Sequence, residues 1–127
     1  MAVADTRVAE SLADRISFDA NGLVAAVAQQ HDTGEVLMLA WMNRQSVVET
    51  LTTGRVTYWS RSRQALWRKG ESSGHVQTLV ELRLDCDGDA LLLLVDQTGP
   101  ACHTNRRSCF YRAARDGEFK EIAEPIA

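Results

Sequence analysis

The stretch from residue 76 to residue 95 constrains the fold of this chain more than any other part of the sequence. Apolar and β-branched residues alternate with polar ones along its first half, interrupted at Leu79, which predicts a half-buried β-strand. The residues that this alternation places on one face are Val76, Thr78, Val80, Leu82 and Leu84. Asp87-Gly88 is a typical hairpin turn, and the run Ala90–Val95 that follows is entirely apolar. The stretch therefore predicts two antiparallel strands, the second of which needs apolar cover on both faces.

Shorter elements are predicted on either side of this hairpin. The further strands that the sequence predicts cover residues 23–30, 35–42, 56–62 and 109–114. Asn43 is a good helix N-cap and Gly54 is a good stop signal, so the residues between them predict a short helix. Residues 64–74 have no regular period and contain glycine and serine, which predicts a loop. We expect an α+β fold with about six mostly antiparallel strands and one or two short helices.

The length and charge of the chain restrict its organisation and its partners. With 127 residues it fits a single domain over residues 1–127, in which residues 1–14 are expected to form a loosely attached N-terminal segment. A net charge of −3 argues against general nucleic-acid binding and against association with a membrane surface. The sequence shows no apolar run of about 20 residues and no secretory signal, so a cytoplasmic location is expected.

Asp85, Asp87 and Asp89 alternate along the predicted hairpin turn. Carboxylates this close repel one another, and a hard cation such as Mg²⁺ bound through their oxygens would offset the repulsion. The alternative is an ordinary polar turn, in which Asp and Gly are common. If strand pairing persists through this segment, Cys86 points to the face opposite its aspartate neighbours, which favours two separate metal sites.

Cys86, Cys102 and Cys109 are the three cysteines of the chain, so they cannot all pair in disulfides within it. Three thiolates suit Zn²⁺ and leave its fourth position to a water molecule, which is the arrangement of a catalytic zinc site. Zinc lowers the pKa of such a water toward ~7 and so provides a nucleophile at neutral pH. The alternative is that these cysteines are buried and carry no metal.

Residues near these candidates could complete an active site. His103 adjoins Cys102 and could transfer protons, or it could be an ordinary exposed histidine. The segment from Trp67 to Gly74 combines cations, hydroxyls and flexible backbone, as phosphate-binding loops do. Arginines in an otherwise acidic chain fit a small phosphorylated ligand, although a solvated surface would contain them too. The residues expected to bind such a ligand are Arg61, Trp67, Arg68, Lys69, Gly70, Ser72, Ser73, Gly74, Arg106 and Arg107.

Three stretches of the sequence resemble the signature motifs of the phosphoribosyl-AMP cyclohydrolases. They are Leu66–Gln77 (LWRKGESSGHVQ), Asp85–Asp89 (DCDGD) and Ala101–Phe110 (ACHTNRRSCF), with shorter matches at Thr33–Met38 and Trp41–Asn43. The resemblance extends from about residue 15 to residue 112, which is most of the chain. The order and spacing of the motifs make the resemblance specific.

The resemblance implies a reaction and a set of site residues. The family hydrolyses the N1–C6 bond of the adenine ring of 1-(5-phosphoribosyl)-AMP, giving a formimino-carboxamide ribonucleotide in histidine biosynthesis. The resemblance also implies a Zn²⁺-dependent, Mg²⁺-requiring homodimer whose active sites lie at the subunit interface. The implied zinc ligands are Cys86, Cys102 and Cys109, and the implied magnesium ligands are Asp85, Asp87 and Asp89. The implied catalytic residues are His103 and Arg15.

Two other classes of protein fit the motifs less well. A nucleotide deaminase typically carries His-x-Glu and Pro-Cys-x-x-Cys motifs, and the sequence has neither, although Pro100-Ala101-Cys102 matches in part. A non-catalytic metal-binding module would not need an open zinc position, His103 or basic loops. The chain ends shortly after the last motif, so we expect a monofunctional enzyme without the pyrophosphohydrolase domain to which this domain is often fused.

Overall fold

The computed structural model describes residues 4–126 of the chain. Its helices and strands are α1 (Thr6–Ala13), β1 (Val24–Gln30), β2 (Val36–Met42), α2 (Arg44–Thr53), β3 (Thr57–Ser60), β4 (Ala65–Arg68), β5 (Gln77–Leu84), β6 (Ala90–Gln97), β7 (Arg112–Arg115) and β8 (Glu118–Glu121). Six strands form one sheet in the order β4-β3-β2-β1-β6-β5, and β7 and β8 form a separate hairpin. Within the larger sheet β1 and β6 pair in parallel, and the other neighbours pair antiparallel. This confirms the predicted α+β fold.

The larger sheet curls, because its edge strand β5 is hydrogen-bonded to the segment that leads into β3. The amide of Leu79 donates to the carbonyl of Gly54 at 2.8 Å, and the amide of Val56 donates to the carbonyl of Gln77 at 3.1 Å. The curled sheet and the two helices enclose one apolar core. Its largest fully buried apolar side chains include Tyr58, Leu37, Met42, Leu79 and Leu93.

Helix α2 forms where its end signals predict it. The Asn43 side chain accepts from the amide of Ser46, and the Ser46 hydroxyl accepts from the amide of Asn43, both at 2.8 Å. These two bonds satisfy amides that the first helical turn leaves without partners. At the other end Gly54 takes the left-handed conformation with φ 75°, which stops the helix.

Helix α1 is held against α2, in contrast to the expected loose attachment of the N-terminal segment. Ala9 and Ala13 are both 0% exposed. Arg44 of α2 reaches back to the carboxylates of Glu10 and Asp14, at 2.8 and 2.7 Å. Residues 1–3 of that segment lie outside the described residues.

The predicted core-facing pattern of β5 is wrong because the strand contains a β-bulge. Leu79 pairs with Val95 and Glu81 pairs with Leu94, so Val80 is an extra residue. As a result Gln77 and Leu79 are 0% exposed, whereas Thr78 and Val80 are only half-buried. The buried Gln77 amide is satisfied by the hydroxyl of Tyr58, which donates to its Oε1 at 2.6 Å.

Two segments contain strands that the sequence analysis missed. The predicted loop over residues 64–74 includes β4, which pairs with β3 and places Trp67 beside Tyr58 with their ring centroids 5.1 Å apart. The predicted strand over residues 109–114 begins later, as β7, and continues through a turn at Asp116-Gly117 into β8. Both missed strands are four residues long.

The apolar strand β6 is covered on one face and half-exposed on the other. Leu91, Leu93 and Val95 are at most 2% exposed, whereas Leu92 and Leu94 are only half-buried. Leu92 pairs with Val27, which in turn pairs with Leu39, so these side chains share one side of the sheet. We call Val27, Leu39, Leu92 and Leu94 the outer sheet face. None of the helices between residues 4 and 126 is long and apolar enough to cross a membrane.

Candidate active site and metal centres

Cys102 and Cys109 lie together at the end of the sheet where β6 stops. Both belong to the irregular segment of residues 98–109, and their side chains are close enough to hydrogen-bond. The amide of Cys109 donates to the carbonyl of Leu37 in β2 at 2.7 Å, which fixes the segment to the sheet. Cys102 is 8% exposed and Cys109 is exposed. We call this end of the sheet the thiol end.

The two thiols differ in acidity. Burial raises the pKa of Cys102, but hydrogen bonds from the hydroxyl and amide of Thr104, a hydrogen bond with Cys109 and the charge of Lys69 outweigh it, so the pKa is lowered overall. Burial and the neighbouring Cys102 raise the pKa of Cys109 to about 11. The first proton therefore leaves the pair at a lowered pKa, from Cys102, and the second leaves Cys109 at a raised pKa. This is the behaviour of two interacting acids.

Thr104 is a site residue that the sequence analysis missed. Its hydroxyl donates to Cys102 Sγ at 3.0 Å. A threonine two residues after a cysteine can reach back in this way when the chain turns between them. The Thr-Asn pair after His103, which is typical of a turn, was the signal that could have identified it.

Lys69 contacts the thiol segment from the end of β4. Its ammonium donates to the carbonyl of Ala101, the residue before Cys102, and lies 5.7 Å from the centre of the Trp67 ring. Burial lowers the pKa of Lys69, and the charges of Cys109 and Cys102 act in the opposite direction. Lys69 is therefore a half-buried cation beside the two sulfur atoms.

Arg106 and Arg107, two of the expected ligand-binding residues, make internal contacts that hold the thiol segment. The Arg107 guanidinium donates to the carbonyls of Gln97 and Gly99 at 3.1 and 3.0 Å, and to the Gln30 side chain at 2.9 Å. Arg106 is 8% exposed and donates to the carbonyl of Ala123 at 2.8 Å. These arginines connect the segment to the sheet and to the C-terminal residues.

The aspartate cluster lies at the opposite end of β6. Oxygen atoms of Asp85, Asp87 and Asp89 all lie within 4.8 Å of one another, and all three residues are exposed. A hydrogen bond from the amide of Asp89 is the largest effect that lowers the pKa of Asp85, and the charge of Asp85 is the largest that raises the pKa of Asp89. The three side chains therefore form a compact anionic site. We call this end of the sheet the aspartate end.

Cys86 is exposed in the turn that carries the three aspartates. Strand pairing ends at Leu84, so the strand alternation that would have separated Cys86 from its neighbours does not extend to it. The eight residues of β6 separate this turn from the thiol end, which corresponds to roughly 23 Å at the usual rise of a strand. One chain therefore presents two thiols at one end of the sheet and the third at the other.

The motifs that carry these residues match a known family. The family model described as phosphoribosyl-AMP cyclohydrolase matches residues 38–111. The chain belongs to the phosphoribosyl-AMP cyclohydrolase family. It is 71% identical over 119 residues to a protein of that name from Rhodospirillum centenum, covering 94% of this chain and 90% of the relative. It is 70% identical over 110 residues to another from Paracoccus denitrificans, covering 87% and 91%.

The remaining site residues divide between the two ends. At the thiol end of this phosphoribosyl-AMP cyclohydrolase family member, His103 is exposed and follows Cys102 directly, and His75 packs against Gly99. The other expected ligand-binding residues of this end are Trp67, Arg68, Gly70, Ser72, Ser73 and Gly74. At the aspartate end the amide of Ser17 donates to the carbonyl of Gly88 at 2.7 Å, which brings Arg15 to the acidic turn. Arg61 stacks 4.7 Å from the centre of the Trp41 ring at this same end.

Proposed function

We propose that this protein hydrolyses the N1–C6 bond of the adenine ring of 1-(5-phosphoribosyl)-AMP and yields the formimino-carboxamide ribonucleotide of histidine biosynthesis. The observation that carries the proposal is that relatives about 70% identical over some nine-tenths of the chain are named for this activity. The site residues support it, since they include carboxylates and thiols of the kinds that ligate metals and an exposed histidine next to Cys102. A cytoplasmic location, with no nucleic-acid or membrane partner, is part of the proposal.

Zinc is the metal that the thiols fit. Cys102 and Cys109 provide two adjacent sulfur ligands, and the lowered pKa of Cys102 favours the thiolate that zinc needs. The third ligand is Cys86 of a second chain, because Cys86 of the same chain lies at the opposite end of β6. When bound, zinc acts as a Lewis acid that makes a water molecule nucleophilic near neutral pH.

Magnesium is the ion that the aspartate cluster fits. Three carboxylates whose oxygens lie within 4.8 Å provide hard, anionic ligands, which Mg²⁺ prefers. The raised pKa of Asp89 shows the mutual repulsion that a cation would offset. The backbone of Arg15 lies beside this turn, and we assign its positive charge to a phosphate of the substrate.

His103 is the proton-transfer residue of the proposal. Cleavage of the N1–C6 bond requires that a proton leave the attacking water and that one reach N1 as the bond breaks. His103 follows Cys102 directly and exposes its imidazole at the thiol end. An imidazole at this position can accept a proton from one reacting group and donate one to another.

The working unit is a homodimer in which each active site combines both chains. The outer sheet face presents four leucine and valine side chains that are exposed or only half-buried. A second copy of the chain would cover them. In the proposed dimer the two outer sheet faces pack together about a two-fold axis that runs perpendicular to the strands. This axis reverses the strand direction of the partner, so that the thiol end of one chain meets the aspartate end of the other. That arrangement would unite Cys102 and Cys109 with the partner's Cys86.

Incubation of the purified protein with phosphoribosyl-AMP, Zn²⁺ and Mg²⁺ tests the proposed reaction. We expect the ultraviolet absorbance to change as the purine ring opens, and the product to have gained one water molecule by mass spectrometry. Metal analysis should find one zinc per chain. A dimeric, zinc-loaded protein that leaves phosphoribosyl-AMP unchanged would overturn the proposal.

A further inference from the structure

Lys69 occupies an unusual position for a residue of a glycine-rich loop. Its backbone amide donates to the carbonyl of Val56 at 3.0 Å, so the base of the side chain is fixed to the strand region rather than to the loop. From there the side chain crosses to the thiol segment and donates to the carbonyl of Ala101. The side chain therefore connects β4 to the residue that precedes Cys102.

The contact also brings a positive charge close to the two thiols. The hydrogen bond to Ala101 places the Lys69 ammonium next to Cys102, and its charge acts to lower the pKa of both Cys102 and Cys109. The nearby Arg106 and Arg107 direct their guanidinium groups to backbone carbonyls and to acidic or amide side chains. Sulfur anions held in a partly desolvated place need a positive partner close by.

A phosphate-binding role fits this geometry poorly. The Lys69 side chain is half-buried and its ammonium already donates to a backbone carbonyl. Ser72 and Ser73 provide more accessible donors in the same loop, since both are exposed. The one hydrogen bond of the Lys69 ammonium thus goes to the thiol segment, although part of the side chain stays accessible to solvent.

We infer that Lys69 is a positioning residue of the zinc site, whose ammonium offsets the charge of the Cys102 and Cys109 thiolates and holds Ala101 in place. The inference rests on the proposed function, because it assumes that these thiols bind zinc. It assigns Lys69 to the surroundings of the metal, where partners that support the ligands typically contribute 10–100-fold, by order of magnitude, to metal affinity. It also removes Lys69 from the residues that contact the phosphates of the substrate.

Zinc affinity of Lys69 variants, measured on the dimeric protein by competition with a chromophoric chelator, tests the inference. We expect Lys69→Met to weaken zinc binding by about 10–100-fold, and Lys69→Arg, which keeps the charge, to recover most of the loss. Lys69→Gln keeps a hydrogen-bond donor without the charge and should fall between them. Lys120→Met, on the separate β7–β8 hairpin, is the matched control and should bind zinc like the wild type.

Two results would overturn the inference in distinguishable ways. If wild-type protein binds zinc but Lys69→Met binds it equally tightly and instead has a raised KM for phosphoribosyl-AMP, Lys69 is a substrate ligand and the proposed function stands. If wild-type protein binds no zinc at Cys102 and Cys109, the proposed metal site fails and the role of Lys69 fails with it. Should Lys69→Met fail to fold, Lys69→Gln and Lys69→Arg give the same comparison.

Discussion

At the scale of single residues, neighbours decide the role of each side chain more than residue type does. The arginines show this: Arg107 makes four hydrogen bonds within the chain, whereas Arg61 stacks on an aromatic ring at the surface. The sequence grouped them as phosphate ligands because both are basic and lie near motifs. Burial and hydrogen bonding, which depend on residues distant in sequence such as Gln30, could not be predicted from that grouping.

Replacement of His103 tests the proton-transfer role. His103→Asn should keep zinc bound while turnover falls by roughly 10²–10⁴, the usual contribution of an acid–base group. His31→Asn is the matched control, since His31 is also an exposed histidine, in the turn between β1 and β2, and no role in the site is assigned to it. Steady-state kinetics with metal analysis would decide the point, and unchanged turnover of His103→Asn between pH 6 and 9 would remove His103 from the mechanism.

Asp89→Asn tests the repulsion within the aspartate cluster. The charge of Asp85 raises the pKa of Asp89, so the ionised form of Asp89 is disfavoured in the folded protein. Above that pKa the repulsion acts in full, and it disappears as Asp89 gains a proton at lower pH. We therefore expect Asp89→Asn to raise the Tm at neutral pH in the absence of metal, and this gain to vanish in acid.

Magnesium provides the second half of that test. Because a bound ion stabilises the folded state, Mg²⁺ should raise the Tm of wild-type protein and have much less effect on Asp89→Asn. Asp116→Asn removes an acidic side chain from the β7–β8 turn and should respond to Mg²⁺ like the wild type. Equal responses of wild-type protein and Asp89→Asn would contradict magnesium binding by the cluster.

At the scale of helices and strands, the sequence predicted those elements whose ends are determined by neighbouring residues. Helix α2 follows from its capping residues, and the hairpin of β1 and β2 follows from a turn between two apolar runs. The bulge at Val80 could not be predicted, because it is a feature of the register between β5 and β6, which the local sequence does not encode. Strand β4 was missed since its four residues are stabilised mainly by pairing with β3.

Two glycines of the loop after β4 allow a matched test of its packing. Gly70 and Gly74 both have positive φ, at 78° and 81°, so alanine is strained at either position. A Cβ at Gly70 would come within 2.4 Å of the backbone of His75, whereas at Gly74 it would meet nothing within 4 Å. We expect Gly74→Ala to cost about 1 kcal/mol of unfolding free energy, and Gly70→Ala roughly 3 kcal/mol or more with loss of zinc affinity.

Chemical denaturation of both variants provides the measurement. The cost of strain is common to the two glycines, so their difference reports the close approach of the loop to His75. If the two variants lose the same free energy of unfolding, the packing of Gly70 against that backbone is wrong.

At the scale of the whole molecule, the two sets of candidate ligands are held apart by β6, which runs from the aspartate end to the thiol end. The sequence predicted both sets and the strand between them, but which other strands lie beside each set depends on the order of the sheet, which no local motif encodes. A single chain therefore offers only part of the proposed zinc site beside an apolar sheet face. Assembly of two chains would cover the face and complete the site together.

The outer sheet face can be tested by a charge. Leu39 lies on this face and is 48% exposed, and Val8 on α1 is also 48% exposed but lies elsewhere. Leu39→Glu should give a monomer with little activity, since a charge buried in an interface without a partner is costly. Val8→Glu should remain an active dimer by light scattering, and full activity of a monomeric Leu39→Glu would contradict the composite site.

The central claim is that each zinc site takes ligands from two chains. Complementation between inactive variants tests this claim most directly. A heterodimer of Cys86→Ala and Cys109→Ala would contain one intact site, so random exchange should restore about a quarter of wild-type activity. Cys102→Ala mixed with Cys109→Ala should restore none, because both ligands come from the same chain in every site. Absence of activity from the first mixture, with heterodimers demonstrated by mass spectrometry, would contradict the account.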